Sequence, residues 1–134
     1  MKDLIIDCFA GGGGASVGIE MAIGRSVDIA INHDPDAILM HKTNHPDTLH
    51  LTEDIFKVDL KKYVKGRHVT LMWASPDCTS HSKAKGGKPR ERGLRILPWA
   101  VYKHARTILP DVILMENVEE IQQWGPLDAE GHPI

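Results

Sequence analysis

The chain has 134 residues, 42% of them hydrophobic, and 16 Lys and Arg against 18 Asp and Glu give a formal net charge of −2. That length allows one domain with a real core, and the near-neutral balance excludes an overall nucleic-acid charge signature, so any such surface has to be local. Two cysteines make no disulfide framework, no apolar run approaches the roughly 20 residues of a membrane span, and the three apolar residues after Met1-Lys2-Asp3 are too few for a signal sequence, so a cytoplasmic, reducing setting without a membrane partner is expected.

Leu4, Ile5 and Ile6 read as a buried parallel strand, because the apolar run is continuous rather than alternating. Asp7-Cys8-Phe9-Ala10-Gly11-Gly12-Gly13-Gly14 follows, and its four glycines allow a turn that residues with a Cβ make only at a cost. Ala15, Val17, Ile19, Ala22 and Ile23 then predict a helix packed on a sheet. Such a turn either merely connects strand to helix or presents bare backbone N–H groups to a polar ligand. The second strand is Val27 to Ile31. Asn32-His33-Asp34 lead into a helix with Asp34 as N-cap and Pro35 in its first position. That helix fades near Asn44, since Pro46 cannot continue it. Leu49 to Thr52 is extended, and Lys57 to Arg67 is a charged surface helix and loop. Val69 to Ala74 is the next strand, ending in Ser75-Pro76-Asp77-Cys78. Lys83 to Arg95 is a polar loop. Leu97, Val101, Ala105 and Ile108 share one face of a helix starting at Pro98 and ended by Pro110. Val112 to Met115 is the last strand, finishing at Glu116-Asn117-Val118.

Strands alternating with helices imply an α/β fold with a parallel, doubly wound sheet. Ligands in such sheets sit outside the carboxyl ends of the strands, and the polar stretches fall there: Asp7 to Gly14, Asn32 to Asp34, Glu53-Asp54, Ser75 to Ser82 and Glu116-Asn117. The glycine spacing fits no register of G-x-G-x-x-G, and the pair Gly13 and Gly18 is followed by Ile19, not by the lysine of a phosphate loop. An acid before the turn, Asp7, suits a ligand with an amino group or hydroxyls.

Cys78 either packs as a small buried residue or, within the polar run Thr79-Ser80-His81-Ser82 and before six basic residues, acts as a thiolate nucleophile. Cys8, inside the first strand, is a packing residue. Glu116 is either solvated at the rim or held in a pocket where it can donate or accept a proton. Lys83, Lys85, Lys88, Arg90, Arg92 and Arg95, with Gly86, Gly87 and Gly93 between them, form either a solvated face or a basic loop that closes over a phosphate backbone. His41 and His45 sit one helical turn apart and read as a solvated face rather than a zinc pair, since no cysteine or Glu-x-x pattern accompanies them.

Taken together, these stretches resemble the cytosine-5 DNA methyltransferases over residues 3 to about 118. Asp7 to Gly14 resembles that family's S-adenosylmethionine-binding first motif, Ser75-Pro76-Asp77-Cys78 its Pro-Cys motif, and Glu116-Asn117-Val118 its Glu-Asn-Val motif, in the family's order. The resemblance implies a Rossmann-like S-adenosylmethionine-dependent methyltransferase fold with helices on both faces of the sheet. It implies a cofactor pocket lined by Asp7, Phe9, Ala10, Gly11, Gly13 and Gly14, with Asn32, His33, Asp54, Ile55 and Ser75 from the other strand ends, Asp54 bonding the adenine. Cys78 becomes the nucleophile and Glu116 the residue on the cytosine N3 and amino edge. Asn117, Ser82, Lys83, Lys85, Arg90 and Arg92 become contacts to double-stranded DNA with its target cytosine flipped out, and no metal is needed.

Three departures accompany the resemblance. Asn32 stands where the family has a ribose-binding acid, and Asp34 is either its substitute or only the N-cap of the following helix. Pro-Asp-Cys-Thr stands where the family has Pro-Pro-Cys-Gln, as in a variant subgroup. The family's later arginine motif, target-recognition domain and final pocket segment have no counterpart before Ile134. The expectation is an N-terminal part of a catalytic domain over residues 1–134, inactive on DNA and weak for cofactor by itself, that works with a C-terminal portion or a second chain. An RNA cytosine-5 methyltransferase and a non-catalytic cofactor-binding fragment are the alternatives.

Overall fold

The computed structural model describes residues 3–10, 13–75, 97–116 and 129–130. Among them, strands β1 (Leu4–Cys8), β2 (Ile29–Asn32), β3 (Leu49–Thr52), β4 (Val69–Ala74) and β5 (Val112–Met115) alternate with helices α1 (Gly14–Ile23), α2 (Pro35–Asn44), α3 (Leu60–Val64) and α4 (Leu97–Ile108). The strands form one sheet in the order β3-β2-β1-β4-β5, and every pairing is parallel. The doubly wound architecture expected from the alternation is therefore present.

β1 is central and buried at all five positions, which explains the unbroken apolar run of Leu4 to Ile6. Successive side chains alternate between faces. Leu4, Ile6 and Cys8 join Ile29, Ile31, Leu51 and Met72 beneath Leu60 and Val64 of α3 and Val101 of α4. Ile5 points the other way, into a smaller cluster with Val27, Ala30 and Ile19 of α1. Ile6 is fully enclosed; Ile6→Val is expected to lower stability by about 0.5–1.5 kcal/mol in urea denaturation, the cost of one lost methyl and the small void it leaves.

The helix ends follow local chemistry. α1 stops at Gly24, whose φ of +78° is left-handed and whose N–H bonds to Glu20 O. α2 starts as the sequence predicts, with Pro35 first and Asp34 Oδ1 accepting from Asp36 N at 2.9 Å. Two expectations need adjustment. β2 runs Ile29–Asn32 rather than Val27 to Ile31, because Val27 precedes the ladder and its carbonyl accepts from Thr48 Oγ1 at 2.7 Å. The charged segment around α3 is not only surface, since Leu60 and Val64 enter the core. β5, although apolar throughout, keeps each of its four residues 43–48% exposed.

Candidate functional site

The strand registers bring the polar segments level. Cys8 lies beside Ile31 and Ala74, Ala74 beside Met115, and Asn32 beside Thr52. Phe9, Asn32, Glu53, Ser75 and Glu116, each at or just beyond the last strand residue, therefore share one carboxyl edge. Backbone bonds carry the ladder past the strands: Ala10 N to Ile31 O at 2.9 Å, Glu53 N to Asn32 O at 3.2 Å, and Glu116 N to Ala74 O at 3.0 Å. The chain leaves β1 towards β2 and leaves β3 towards β4, so the topological switch lies between β1 and β4, the position at which doubly wound sheets generally take their ligands.

The turn after β1 is conformationally specialised. Phe9 has φ +61°, in the left-handed region that costs a residue with a side chain on the order of 1 kcal/mol or more. Gly13 has φ +102° and is buried. No side chain caps the start of α1, so its first N–H groups are available to a ligand. Asn32 Oδ1 accepts from Asp34 N, and Asp54 Oδ1 accepts from Phe56 N, both at 2.9 Å, which fixes the loops after β2 and β3. His33 and Asp54 are exposed, whereas Ala10 and Ile55 are buried. His104 of α4, buried, bonds Ile55 O through Nε2 at 2.6 Å and so ties α4 to the Asp54 turn. Trp73 Nε1 donates to Ser75 Oγ at 2.8 Å. Gly11, Cys78, Ser82, Lys83, Lys85, Arg90, Arg92 and Asn117 lie outside the described residues.

Asp7 faces inward. It is 1% exposed and its Oδ2 accepts from Ser16 Oγ at 2.6 Å. Ser16 Oγ lies 2.8 Å from His41 Nε2, and His41 Nδ1 lies 2.7 Å from His50 Nε2. His45 stacks near His41, ring centroids 4.6 Å apart, and its Nδ1 pairs with Glu20 Oε2 at 3.0 Å. The reading of His41 and His45 as a solvated face is thus incorrect: both are buried. The missed signal was Ile38, which precedes them at three- and seven-residue intervals and marks their face as the inward one. Among the described residues no group of three or more His, Cys, Asp or Glu side chains is arranged to hold a metal ion. Burial pushes the Cys8 thiol far up, with the Asp7 charge adding to it, which agrees with a packing role.

Burial raises Asp7 from 3.8 to about 6, against smaller opposing effects of Ser16 and His45. Burial, reinforced by His45 and His50, lowers His41 from 6.5 to about 4. For Asp7, the unfolded chain gives up its proton first, so the fold loses stability as pH rises from about 4 to about 6. For His41, the unfolded chain takes up a proton first, so the fold loses stability as pH falls from 6.5 to about 4. Between pH 4 and 6 the two slopes oppose one another, each at most about 1.4 kcal/mol per pH unit. Asp7→Asn should therefore make stability fall more steeply with acidification than in the wild type, and His41→Gln should make it fall less steeply. Urea midpoints at half-unit steps of pH decide this, and parallel profiles for all three proteins would refute it.

Solved structures share this arrangement. A DNA modification methyltransferase encoded within an E. coli prophage superimposes with a TM-score of 0.76 over 91% of this chain and 34% of its own, at 28% identity. The S. pombe Dnmt2 methyltransferase does so with a TM-score of 0.68 over 90% of this chain and 36% of its own, at 22% identity. The strand order and the turn after β1 define a Rossmann-like methyltransferase fold. A profile of the C-5 cytosine-specific DNA methylases matches residues 4–124, and the chain belongs to that family. The Type II methyltransferase M.AquIA of Picosynechococcus sp. is 29% identical over 131 residues, covering 92% of this chain and 52% of that protein. The Type II methyltransferase M.AgeI of Thalassovita gelatinovora is 32% identical over 119 residues, covering 84% and 27%. The chain thus spans about half the length of the first relative and about a quarter of the second.

Proposed function

We propose that this chain forms the cofactor-binding and nucleophile-bearing part of an enzyme that methylates C5 of cytosine in DNA. The observation that carries the reading is the level carboxyl edge in a member of the cytosine-5 family. It sets the glycine turn, Ser75 three residues before Cys78, and Glu116 at the ends of three adjacent strands, β1, β4 and β5. The residues present fit S-adenosylmethionine. Gly13 keeps the turn free of a side chain, the uncapped start of α1 suits the amino-acid end, and the exposed Asp54 suits the adenine amino group. Asp7 and Ile55 then act on the pocket by anchoring it, since neither side chain is exposed.

When bound, the cofactor supplies a methyl group on a positively charged sulfur. The chain's residues prepare the acceptor. Cytosine C5 is a poor nucleophile until the Cys78 thiolate adds at C6, while Glu116 holds N3 and the amino edge and stabilises the charge on the ring. Loss of the C5 proton and of Cys78 afterwards restores the base. Stacking hides that face of the ring in a duplex, so the cytosine has to be flipped out, and Asn117, Ser82, Lys83, Lys85, Arg90 and Arg92 are assigned to the DNA around it.

The open β5 supports a second element of the reading, that further polypeptide packs against this edge before the site is complete. Calorimetry with S-adenosylhomocysteine, on the 134 residues alone and together with the polypeptide encoded downstream, tests both elements. Binding that is weak alone and at least tenfold tighter together is expected. No binding in either case would overturn the cofactor assignment, and equal binding would overturn the need for a completing segment.

A further inference from the structure

We propose that His41 is a positioning residue for the glycine turn, closing a chain of hydrogen bonds that clamps the turn at both of its ends. Its relevance to methyl transfer rests on the reading of that turn as the methyl-donor site.

Asp7 is the last acid before the turn and Ser16 lies in the first turn of α1 beyond it. Their 2.6 Å bond therefore fastens the two ends of the loop together. Between them stand four glycines, the residues with most backbone freedom to lose on ordering. A turn of that composition needs its shape imposed from outside. His41 imposes it twice. Its Nε2 bonds to Ser16 Oγ at 2.8 Å, and its ring lies directly against the turn, with Cδ2 3.0 Å from where a Cβ on Gly13 would stand. His50 on β3 holds the other ring nitrogen at 2.7 Å. Four elements, β1, α1, α2 and β3, are thus joined through one imidazole.

The direction of the chain follows from its acceptor end. An ionised Asp7 can only accept, so Ser16 donates its hydroxyl proton to Asp7 and accepts from His41 Nε2–H, and His41 Nδ1 accepts from His50 Nε2–H. This arrangement uses His41 neutral. A second proton on Nδ1 would face the His50 proton and break the chain there. The charged and titratable groups around the ring are Asp7 from β1, Glu20 from α1, Lys42 from α2, His45 just beyond the end of α2, and His50 from β3. Burial disfavours a charge on His41, in agreement with the neutral form.

Two variants separate positioning from mere packing. His41→Leu keeps bulk without a donor, and His41→Gln restores an N–H donor. In this protein, amide hydrogen exchange is measured at Gly13 and Val17, with urea midpoints as the control for global stability and S-adenosylhomocysteine affinity at pH 7. His41→Leu is expected to speed exchange at these amides about tenfold beyond the change in global stability and to weaken affinity about tenfold. His41→Gln should recover most of both. If His41→Leu does not fold, Ser16→Ala cuts the same chain and should give the same local rise in exchange. Unchanged exchange in these variants, or equal loss with Leu and Gln, would overturn the proposal. Faster exchange rescued by Gln, with no protein binding the ligand, would uphold the clamp and overturn the methyl-donor reading instead.

Discussion

Cys78→Ala should abolish covalent capture of a DNA duplex carrying 5-fluorocytosine at the target position, and methyl transfer with it, in the enzyme that carries this chain. The argument is chemical. Once a thiolate has added at C6 and a methyl group has reached C5, the adduct collapses only when the C5 proton leaves. Fluorine cannot leave as a cation, so the bond between sulfur and C6 persists and survives denaturation. Alanine has no atom to form that bond. Glu116→Gln should behave differently: it keeps a hydrogen-bonding group at the end of β5 but loses the carboxylate, so capture slows, on the order of 10²–10⁴-fold, without vanishing. Gel mobility after denaturation reads both variants. Capture that survives Cys78→Ala would assign the nucleophile to another residue, and Cys8, buried and with its thiol pushed far up, is a poor candidate.

Much of the fold was legible because its signals are local. Leu4 to Ile6, Leu71 to Ala74 and Val112 to Met115 are continuous apolar runs, Pro35 and Pro110 punctuate helices, and the glycine turn falls where strand gives way to helix. The level edge followed from alternation alone, since a right-handed parallel sheet leaves its strand ends on one side. What remained hidden depends on partners distant in sequence. His41 and His45 carry ordinary surface composition on α2, and nothing near them in the chain announces that Ser16, Glu20 and His50 will surround them. Asp7 looked like a ligand-facing acid for the same reason: its position at the mouth of the turn is readable, but the Ser16 bond that directs it inward spans nine residues and a helix start. The burial of Leu60 and Val64 was obscured by the lysines between and beside them, which keep their charges in water while the segment contributes two apolar residues to the core.

The site is therefore built in two layers. An outer layer of exposed groups, Asp54, His33 and Glu116, sits at the strand ends where a ligand can meet it. An inner layer of Asp7, Ser16, His41 and His50 is joined by hydrogen bonds beside Gly13. The family resemblance names Asp54, His33 and Glu116 of the outer layer and, of the inner one, Asp7 alone. The inner layer packs directly against Gly13, where a Cβ would stand 3.0 Å from His41 Cδ2.

Gly13→Ala probes the junction of the two layers, and a large loss of stability is expected from a single added methyl group. Two costs fall on the same atom. At φ +102° a residue with a Cβ is strained, by roughly 1–2 kcal/mol. The new methyl would also meet His41 Cδ2 at 3.0 Å and His45 Nε2 at 3.4 Å, and neither ring can withdraw without breaking its bond to Ser16 or Glu20. Overpacking of this kind adds about 1–3 kcal/mol. Together they predict a loss of about 2–5 kcal/mol in urea denaturation. Gly18→Ala is the control: Gly18 is inside α1, exposed, and a Cβ there meets nothing within 4 Å. Replacing a helical glycine by alanine should raise stability by about 0.5–1 kcal/mol. Opposite signs for two identical substitutions five residues apart would place the constraint in the turn itself, whereas a mild effect at Gly13 would mean that the two imidazoles do not hold it.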